Sequence, residues 1–394
     1  MQIEDRLWTR NFILMCFANL LMSVAFYFLI PCLPVFLEKA MHAGKSQIGI
    51  VFAVYTLAAL LIRPFAGYFV DSYGRSLIFL ISFFVFSLIF GAFSFAVTLS
   101  QVIILRFIHG LAWGISTTSS STVIVDIIPE KRRGEGLGYF GIAMTIGLAL
   151  GPYLGTIIAG NNHFDSMFFV ASLLSLSGFI MASMVKFPKF NHKSSSPKFE
   201  WSKLIELSSV PVSLIILMVC VSYGGVIIFV SLYAKEIKIE NSGLFFLIYA
   251  VGLALSRLTA GKIFDKYGPK NICFLGFLFL ISGLFILSFI KNAPGFYVSA
   301  LFIGVGFGII FPVFQAMINN IVNVRQRGVA NSTFFTAVDI GIGFGAVLSG
   351  YLAEQFSLTF TFIVCTLIVF IAVFAFYIFI LPIYNKKVKS IENQ

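Results

Sequence analysis

The chain has 394 residues, of which 59% are hydrophobic and 11% are charged. Soluble globular domains are about 45–50% apolar and about 25% charged, so this composition excludes an ordinary soluble protein and places most of the chain in lipid. The formal net charge of +11 leaves nucleic-acid binding open until the positions of the basic residues are considered.

Twelve apolar runs along the chain predict twelve membrane spans. They fall near 12–36, 46–69, 77–97, 102–127, 136–158, 166–187, 207–234, 243–263, 271–290, 295–322, 329–353 and 357–381. Each has about the 20 residues that a helix needs to cross a bilayer, and runs of this length cross lipid as helices. We therefore predict an all-α membrane protein. The first run is too long for the apolar segment of a signal peptide, so no cleavable leader is expected.

The basic residues are distributed unevenly between the two sides of the predicted membrane. With the N-terminus placed in the cytoplasm, nineteen of the 27 lysines and arginines lie inside. Three lie within spans (Arg63, Arg106 and Arg257) and five lie outside (Lys39, Lys45, Lys235, Lys238 and Lys291). This bias predicts that both termini are cytoplasmic, and it explains the net charge without nucleic acid.

An internal repeat divides the chain into two halves. The pairs that lie 194 residues apart include Tyr55 and Tyr249, Arg63 and Arg257, Gly67 and Gly261, Asp71 and Asp265, Gly110 and Gly304, Gly114 and Gly308, Arg133 and Arg327, Gly134 and Gly328, Gly147 and Gly341, and Gly151 and Gly345. Residues 189–206 are the longest polar connection, rich in lysine and serine. We predict two pseudo-symmetric six-helix halves, 1–188 and 207–394, joined by a cytoplasmic linker. Parallel repeats of this kind are the architecture of one large class of transporters.

The loop after the second span carries the motif that identifies a family. Its residues are Gly67, Asp71, Gly74 and Arg75. This pattern resembles the signature loop of the major facilitator superfamily, and the resemblance covers nearly the whole chain. It implies that Asp71 contacts the start of the eleventh helix and that Arg75 pairs with an acid at the end of the fourth, here Asp126. The cluster would lock the outward-facing state; a loop that only sets topology is the alternative.

The fifth span carries a second motif. It consists of Gly138, Gly147, Gly151, Pro152 and Gly155. Glycines four residues apart form a smooth helix face, and proline removes a helix hydrogen bond. The pattern resembles the antiporter motif of exporters in the superfamily, although Thr156 stands where the family has a glycine. The resemblance implies export; a generic packing face is the alternative.

An arginine recurs two helical turns before each loop aspartate. Arg63 and Arg257 either snorkel to the cytoplasmic surface or grip an anionic substrate between the halves. Tyr55 and Tyr249 precede them by two turns on the same face. Arginines at equivalent places bind the anion in nitrate transporters of the superfamily. The nitrate signature stretches do not occur in this chain, so a larger carboxylate-bearing solute is expected.

Three further ionisable residues lie within spans, where such groups are costly and often functional. Arg106 and His109 resemble the family's helix 4 motif, although glutamine often stands where His109 is. His109 either titrates near neutral pH or is a neutral hydrogen-bonding residue. Both His109 and Arg106 are candidates for proton coupling. Asp339 is the first candidate for that role, with a structural ion pair as the alternative. Asn19 and Gln315 are further candidates for the substrate cavity, which Arg106 would also line.

These features predict a proton-coupled antiporter of the inner membrane, with both termini cytoplasmic. The expected cargo is an anionic or zwitterionic metabolite, such as a carboxylate metallophore or siderophore, or an amphipathic drug. The chain is expected to be a monomer, not an enzyme, and to hold no cofactor or metal. Two alternatives stay open: a proton-coupled uptake symporter of an organic anion, and a membrane sensor or scaffold that does not transport.

Overall fold

A computed structural model describes residues 6–129, 133–160, 163–187, 206–322 and 327–392. In this part of the chain the fold is all helical, without strands. The helices are α1 Arg10–Ala40, α2 Lys45–Tyr73, α3 Arg75–Ala92, α4 Leu99–Ile127, α5 Arg133–Ala159, α6 Phe164–Ser183, α7 Val210–Glu236, α8 Gly243–Tyr267, α9 Pro269–Phe289, α10 Ala293–Asn320, α11 Arg327–Gln355, α12 Leu358–Ala375 and α13 Leu381–Glu392. A π-helical turn, Phe376–Ile380, joins the last two.

The helices meet the expectation of a membrane protein. Among the described residues, eleven helices are long and apolar enough to cross a bilayer. α8 contributes a shorter apolar segment, Gly243–Arg257. The fold is therefore an all-α membrane fold, as the twelve apolar runs predict.

Short polar side chains begin several of these helices. Thr98 accepts a hydrogen bond from the backbone of Gln101, whose side chain accepts one from the backbone of Thr98, so α4 starts with a capping box. Thr9, Asn292 and Ser357 cap α1, α10 and α12 in the simpler way, by accepting a backbone hydrogen bond. These caps satisfy N–H groups that have no partner within the helix.

The repeated turn depends on glycine in both copies. Gly74 lies between α2 and α3 with φ of 100°, and Gly268 lies between α8 and α9 with φ of 71°. Side chains disfavour positive φ, whereas glycine adopts it without penalty. Each long helix can therefore stop and reverse within one residue.

The described chain forms two compact units. One comprises Met1–Ala43 and Val54–Phe199, and the other comprises Gly44–Ala53 and Glu200–Gln394. In the first unit α1 packs against α5 and α6, and α3 packs against α4 and α6. In the second unit α7 packs against α11 and α12, α8 against α10, and α9 against α10 and α12.

Equivalent close approaches recur in the two units. A Cβ atom added to Gly110 of α4 would collide with the carbonyl oxygen of Tyr55 on α2. A Cβ atom added to Gly304 of α10 would collide in the same way with the carbonyl of Tyr249 on α8. Both glycines and both tyrosines are 194 residues apart, so the sequence repeat is also a repeat of helix packing.

Candidate substrate site

Three aromatic rings from α1, α2 and α4 meet in the first unit. Phe26 stacks on Trp113, with ring centroids 4.2 Å apart, and on Tyr55, with centroids 5.6 Å apart. Tyr55 and Trp113 are buried, whereas Phe26 is half-buried. The cluster joins α1, α2 and α4 through stacked aromatic rings, of which Phe26 is the most exposed.

A buried arginine lies over one of these rings. The guanidinium carbon of Arg106 is 4.3 Å from the ring centroid of Tyr55, which is within the range of a cation–π contact. Arg106 is only 2% exposed. A guanidinium so far from solvent is costly in an apolar span, and the face of the tyrosine ring offsets part of that cost.

His109, one turn after Arg106, sits in an aromatic cage. Its ring centroid is 4.5 Å from that of Phe86, 4.7 Å from that of Phe90 and 5.7 Å from that of Tyr55. The side chain is fully buried, and neither ring nitrogen has a hydrogen-bond partner among the described residues. Aromatic rings surround the imidazole within the described part of the chain, and a role of His109 in proton coupling stays a prediction.

The second unit contains a matching three-ring cluster. Tyr223 of α7 stacks on Phe307 of α10 with centroids 4.4 Å apart, and its ring is 6.1 Å from that of Tyr249 of α8. Tyr249 and Phe307 are equivalent to Tyr55 and Trp113 at the 194-residue spacing. Tyr223 is half-buried, like its counterpart in the first unit.

The two repeated arginines differ in their surroundings. Arg63 of α2 is half-buried, and its Nε atom is shielded from solvent. Arg257 of α8 is exposed, and its guanidinium carbon is 5.9 Å from the ring centroid of Phe311. Phe311 lies 5.6 Å from Phe307 of the second ring cluster. In the second unit a cation therefore borders the aromatic cluster, as Arg106 does in the first.

Asn19 and Gln315, which are predicted to line the substrate cavity, form hydrogen bonds to other residues of the protein. The Asn19 side chain donates to the carbonyl of Phe140 and so ties α1 to α5. The Gln315 side chain donates to Asn331, which in turn donates to Asn319. These three amides link α10 to α11. A role in substrate binding stays a prediction for Asn19 and Gln315.

Asp339 lies on α11 and is half-buried, with its Oδ2 atom shielded from solvent. The neighbouring helix is α7, whose Cys220 lies near this carboxyl. Two residues further on, a Cβ atom added to Gly341 would lie 2.7 Å from the Cβ of Cys220. The carboxyl therefore sits where α11 and α7 pack closely, inside a predicted span.

The glycine face of α5 packs directly on the backbone of α1. A Cβ atom added to Gly151 would lie 2.7 Å from the carbonyl oxygen of Val24 and 2.8 Å from the backbone nitrogen of Phe28. One added to Gly147 would lie 2.6 Å from the Cβ of Ser23, and one at Gly155 would collide with the Phe28 carbonyl. Small residues therefore set the distance between these helices. Pro152 lies inside α5. The surroundings of Gly138 are outside the part of the chain that the structure describes.

The signature loop contains an ion pair. One guanidinium nitrogen of Arg75 donates to both carboxylate oxygens of Asp126, at 2.6 and 2.7 Å. The two side chains are 24% and 16% exposed, so the pair is partly desolvated and joins the start of α3 to the end of α4. The surroundings of Gly67 and of the Asp71 side chain are outside the part of the chain that the structure describes. The gating role of the cluster stays a prediction.

The Arg75–Asp126 pair allows a direct test of this role. We expect Arg75→Ala and Asp126→Ala each to slow transport, and the double variant to be no slower than either one. Contacting charged residues usually couple by about 0.5–3 kcal/mol. The measurement is a double-mutant cycle of transport rates in proteoliposomes. Rates that fall additively would mean that the pair does not act as a unit.

Seven consecutive hydroxyl residues of α4, Ser116 to Thr122, have partners inside the protein. Ser116 donates to Ser82 of α3, and the other six donate to carbonyl oxygens of their own helix, three or four residues earlier. Such bonds satisfy hydroxyls in an apolar environment. The hydroxyls of this run are therefore satisfied within the protein.

A comparison with known families decides what kind of protein carries these features. The model of the Major Facilitator Superfamily matches residues 15–240 and again residues 212–393. The chain belongs to this superfamily. The resemblance seen in the sequence motifs is thus confirmed. The chain is a membrane transporter and not an enzyme.

Relatives and structures within the superfamily agree with this assignment. An MFS-type transporter of Methanocaldococcus jannaschii is 27% identical over 341 residues, 83% of this chain and 87% of the relative. The multidrug resistance protein MdtG of Escherichia coli is 26% identical over 327 residues, 79% of this chain and 80% of the relative. A point mutant of the nucleoside transporter NupG superposes with a TM-score of 0.81 at 12% identity, over 93% of this chain and 99% of that chain. The structural likeness shows the major facilitator fold.

Several residues of the site were not found from the sequence. Phe26, Trp113 and Phe307 complete the ring clusters but look like ordinary apolar residues of a span. The 194-residue spacing pairs Trp113 with Phe307, so the repeat could have pointed to those two. Phe26 and Tyr223 are 197 residues apart and fall outside that spacing.

Proposed function

We propose that this transporter exports a small organic solute in exchange for protons by alternating access. The proposed cargo combines a planar ring with a negative charge. An anionic or zwitterionic metabolite, such as a carboxylate metallophore or siderophore, and an amphipathic drug both fit this description. The proposed setting is the inner membrane, with both termini cytoplasmic and the protein acting as a monomer.

The observation that carries this proposal is the pair of ring clusters, each bordered by an arginine. The first unit offers Tyr55 beneath Arg106, and the second offers Phe307 beside Phe311 and Arg257. Rings stack on planar groups, and guanidinium groups bind carboxylates with two parallel hydrogen bonds. Repetition of both elements fits a transporter built from repeats, in which each repeat contributes to substrate binding.

Export rather than uptake is supported by two observations. The α5 motif, with its glycines packed on α1 and Pro152 within the helix, resembles that of exporters in the superfamily. A relative that matches most of the chain carries the name multidrug resistance protein. Under an imposed pH gradient, an antiporter moves solute against the proton flux, a symporter moves it with the flux, and a sensor or scaffold moves none.

The arginines provide the test of the substrate class. We expect Arg106→Ala and Arg257→Ala, at the two ring clusters, to weaken transport of a zwitterionic fluoroquinolone while leaving transport of the cation ethidium largely intact. The same result is expected for Arg63→Ala, at the position equivalent to Arg257 in the repeat. Hydrogen bonds to charged groups are worth about 1.5–3 kcal/mol, which corresponds to a loss on the order of tenfold or more in affinity. The measurement is the apparent KM of each probe in proteoliposomes.

The matched control is Arg10→Ala, because Arg10 is an exposed arginine at the start of α1. It removes the same charge from a helix end and is expected to change neither KM. Equal losses for the zwitterion and the cation in these test variants would contradict a carboxylate-binding role. Unchanged transport of both probes would favour the snorkelling alternative.

A further inference from the structure

A pocket outside the substrate site lies at one end of the second unit. It has a volume of about 510 Å³ and is lined by Tyr233, Glu236, Ile237, Lys238, Lys291, Ser357 and Thr359. Ligand-binding pockets usually measure about 300–1,000 Å³. Its walls come from the end of α7, the α9–α10 connection and the start of α12. We propose that this pocket binds the phosphate of an anionic phospholipid.

The charge of the pocket favours an anion. Glu236 is already paired with Lys45, whose ammonium nitrogen lies 2.5 Å from the Glu236 carboxylate. Within the described part of the chain, Lys238 and Lys291 have no ion-pair partner, and both are exposed. Two uncompensated positive charges therefore face one cavity. A phosphodiester supplies the complementary charge.

The backbone of Lys238 is a second indication that this lysine has a role. Its φ is 60°, in the left-handed region that ends helices and that usually holds glycine. Its amide donates to the carbonyl of Lys235, and the next amide, of Ile239, donates to Ala234, so the turn closes α7. A lysine at such a position costs stability that glycine would avoid. Strained residues of this kind cluster at functional sites.

The position of the pocket at the ends of the membrane spans and the apolar residues beside it favour a lipid as the source of the phosphate. The pocket opens where the apolar spans of α7, α9 and α12 begin or end, at the level of lipid headgroups. Two pairs of exposed phenylalanines whose rings are in contact adjoin it in the chain. They are Phe285 with Phe289, before Lys291, and Phe356 with Phe360, on either side of Ser357. Exposed rings beside a basic pocket suit acyl chains below a bound headgroup.

The test uses the purified full-length protein in detergent and measures lipid retention by native mass spectrometry. We expect wild-type protein to retain phosphatidylglycerol in preference to phosphatidylcholine. Each lysine near a membrane surface contributes about fivefold in anionic-lipid affinity. Lys238→Gly combined with Lys291→Gln should therefore reduce phosphatidylglycerol retention on the order of 25-fold. Lys270→Gln, which removes an exposed lysine from the start of α9 at the opposite end of that helix, should leave retention unchanged.

Glycine at position 238 keeps the backbone conformation, so the variant is expected to melt at the wild-type temperature or above it. Equal retention of phosphatidylglycerol by wild type and double variant would overturn the proposal. A second arm adds inorganic phosphate or glycerol 3-phosphate at millimolar concentration. Failure of these anions to displace the lipid supports a lipid site. Binding of the free anions as tightly as the lipid would overturn the assignment to a phospholipid.

Discussion

Alanine at Gly151 is expected to force α5 away from α1 and to lower the melting temperature of the transporter, with loss of activity. The added Cβ atom would lie 2.7 Å from the Val24 carbonyl oxygen, 2.8 Å from the Phe28 nitrogen and 2.8 Å from the Cβ of Tyr27. Backbone atoms and a Cβ cannot swing aside as a flexible side chain can. Overpacking of this kind typically costs about 1–3 kcal/mol, more than the gain of about 1 kcal/mol in helix propensity from glycine to alanine.

The same helix provides a matched control. Gly141 also lies on α5, is exposed, and has no atom within 4 Å of an added Cβ. Gly141→Ala should therefore leave the melting temperature unchanged or raise it. The experiment compares the thermal unfolding of both purified variants with that of the wild type. If the two substitutions lower the melting temperature equally, the cost arises from loss of glycine itself, and the packing argument fails.

This pair of variants also bears on the transport mechanism. Tyr27 and Val24, which Gly151 contacts, flank Phe26 on α1, and Phe26 is the central ring of the first cluster. A shift of α1 would therefore move the ring that stacks on Tyr55 and Trp113. The α5 motif and the ring cluster belong to one packed unit, so a packing face and a functional motif need not be competing explanations.

Hydropathy predicts where helices lie in this chain but not where they end. The run predicted at 46–69 belongs to a helix that continues to Tyr73, and the run at 243–263 belongs to one that continues to Tyr267. Hydropathy marks apolar residues, whereas a helix continues into polar sequence until a residue such as Gly74 or Gly268 reverses the chain. The run predicted at 357–381 contains the π-helical turn at Phe376–Ile380, for which composition offers no signal.

The candidate site was predicted less completely than the fold. Ionisable residues within spans are rare, so Arg106 and Asp339 are visible in the sequence. The stacking rings cannot be recognised in the sequence, because the chain has 48 phenylalanines and nothing distinguishes the few that stack. Stacking also depends on how three separate helices are rotated about their axes. The cage around His109 was missed for the same reason. The sequence shows only an ionisable residue within a span, and packing reveals the four aromatic rings around it.

Replacing Asp339 with asparagine is expected to abolish proton-driven export while leaving the protein folded. Antiport requires a group that releases and takes up a proton as the transporter alternates, and a carboxyl inside a span can do so where a carboxamide cannot. Asparagine has nearly the same shape, so the packing of α11 against α7 near Cys220 should survive. The variant should therefore show background efflux under an imposed pH gradient, at a wild-type melting temperature.

Solute counterflow separates coupling from transport. Exchange of labelled for unlabelled substrate across the membrane needs no net proton movement, so Asp339→Asn should retain it and show no dependence on pH. Asp339→Glu should recover part of the driven efflux. Asp165→Asn, which removes an exposed carboxyl at the start of α6, serves as the control and should behave as wild type. If the asparagine variant keeps the wild-type pH dependence of efflux, Asp339 is a structural residue, and the proton must be carried elsewhere.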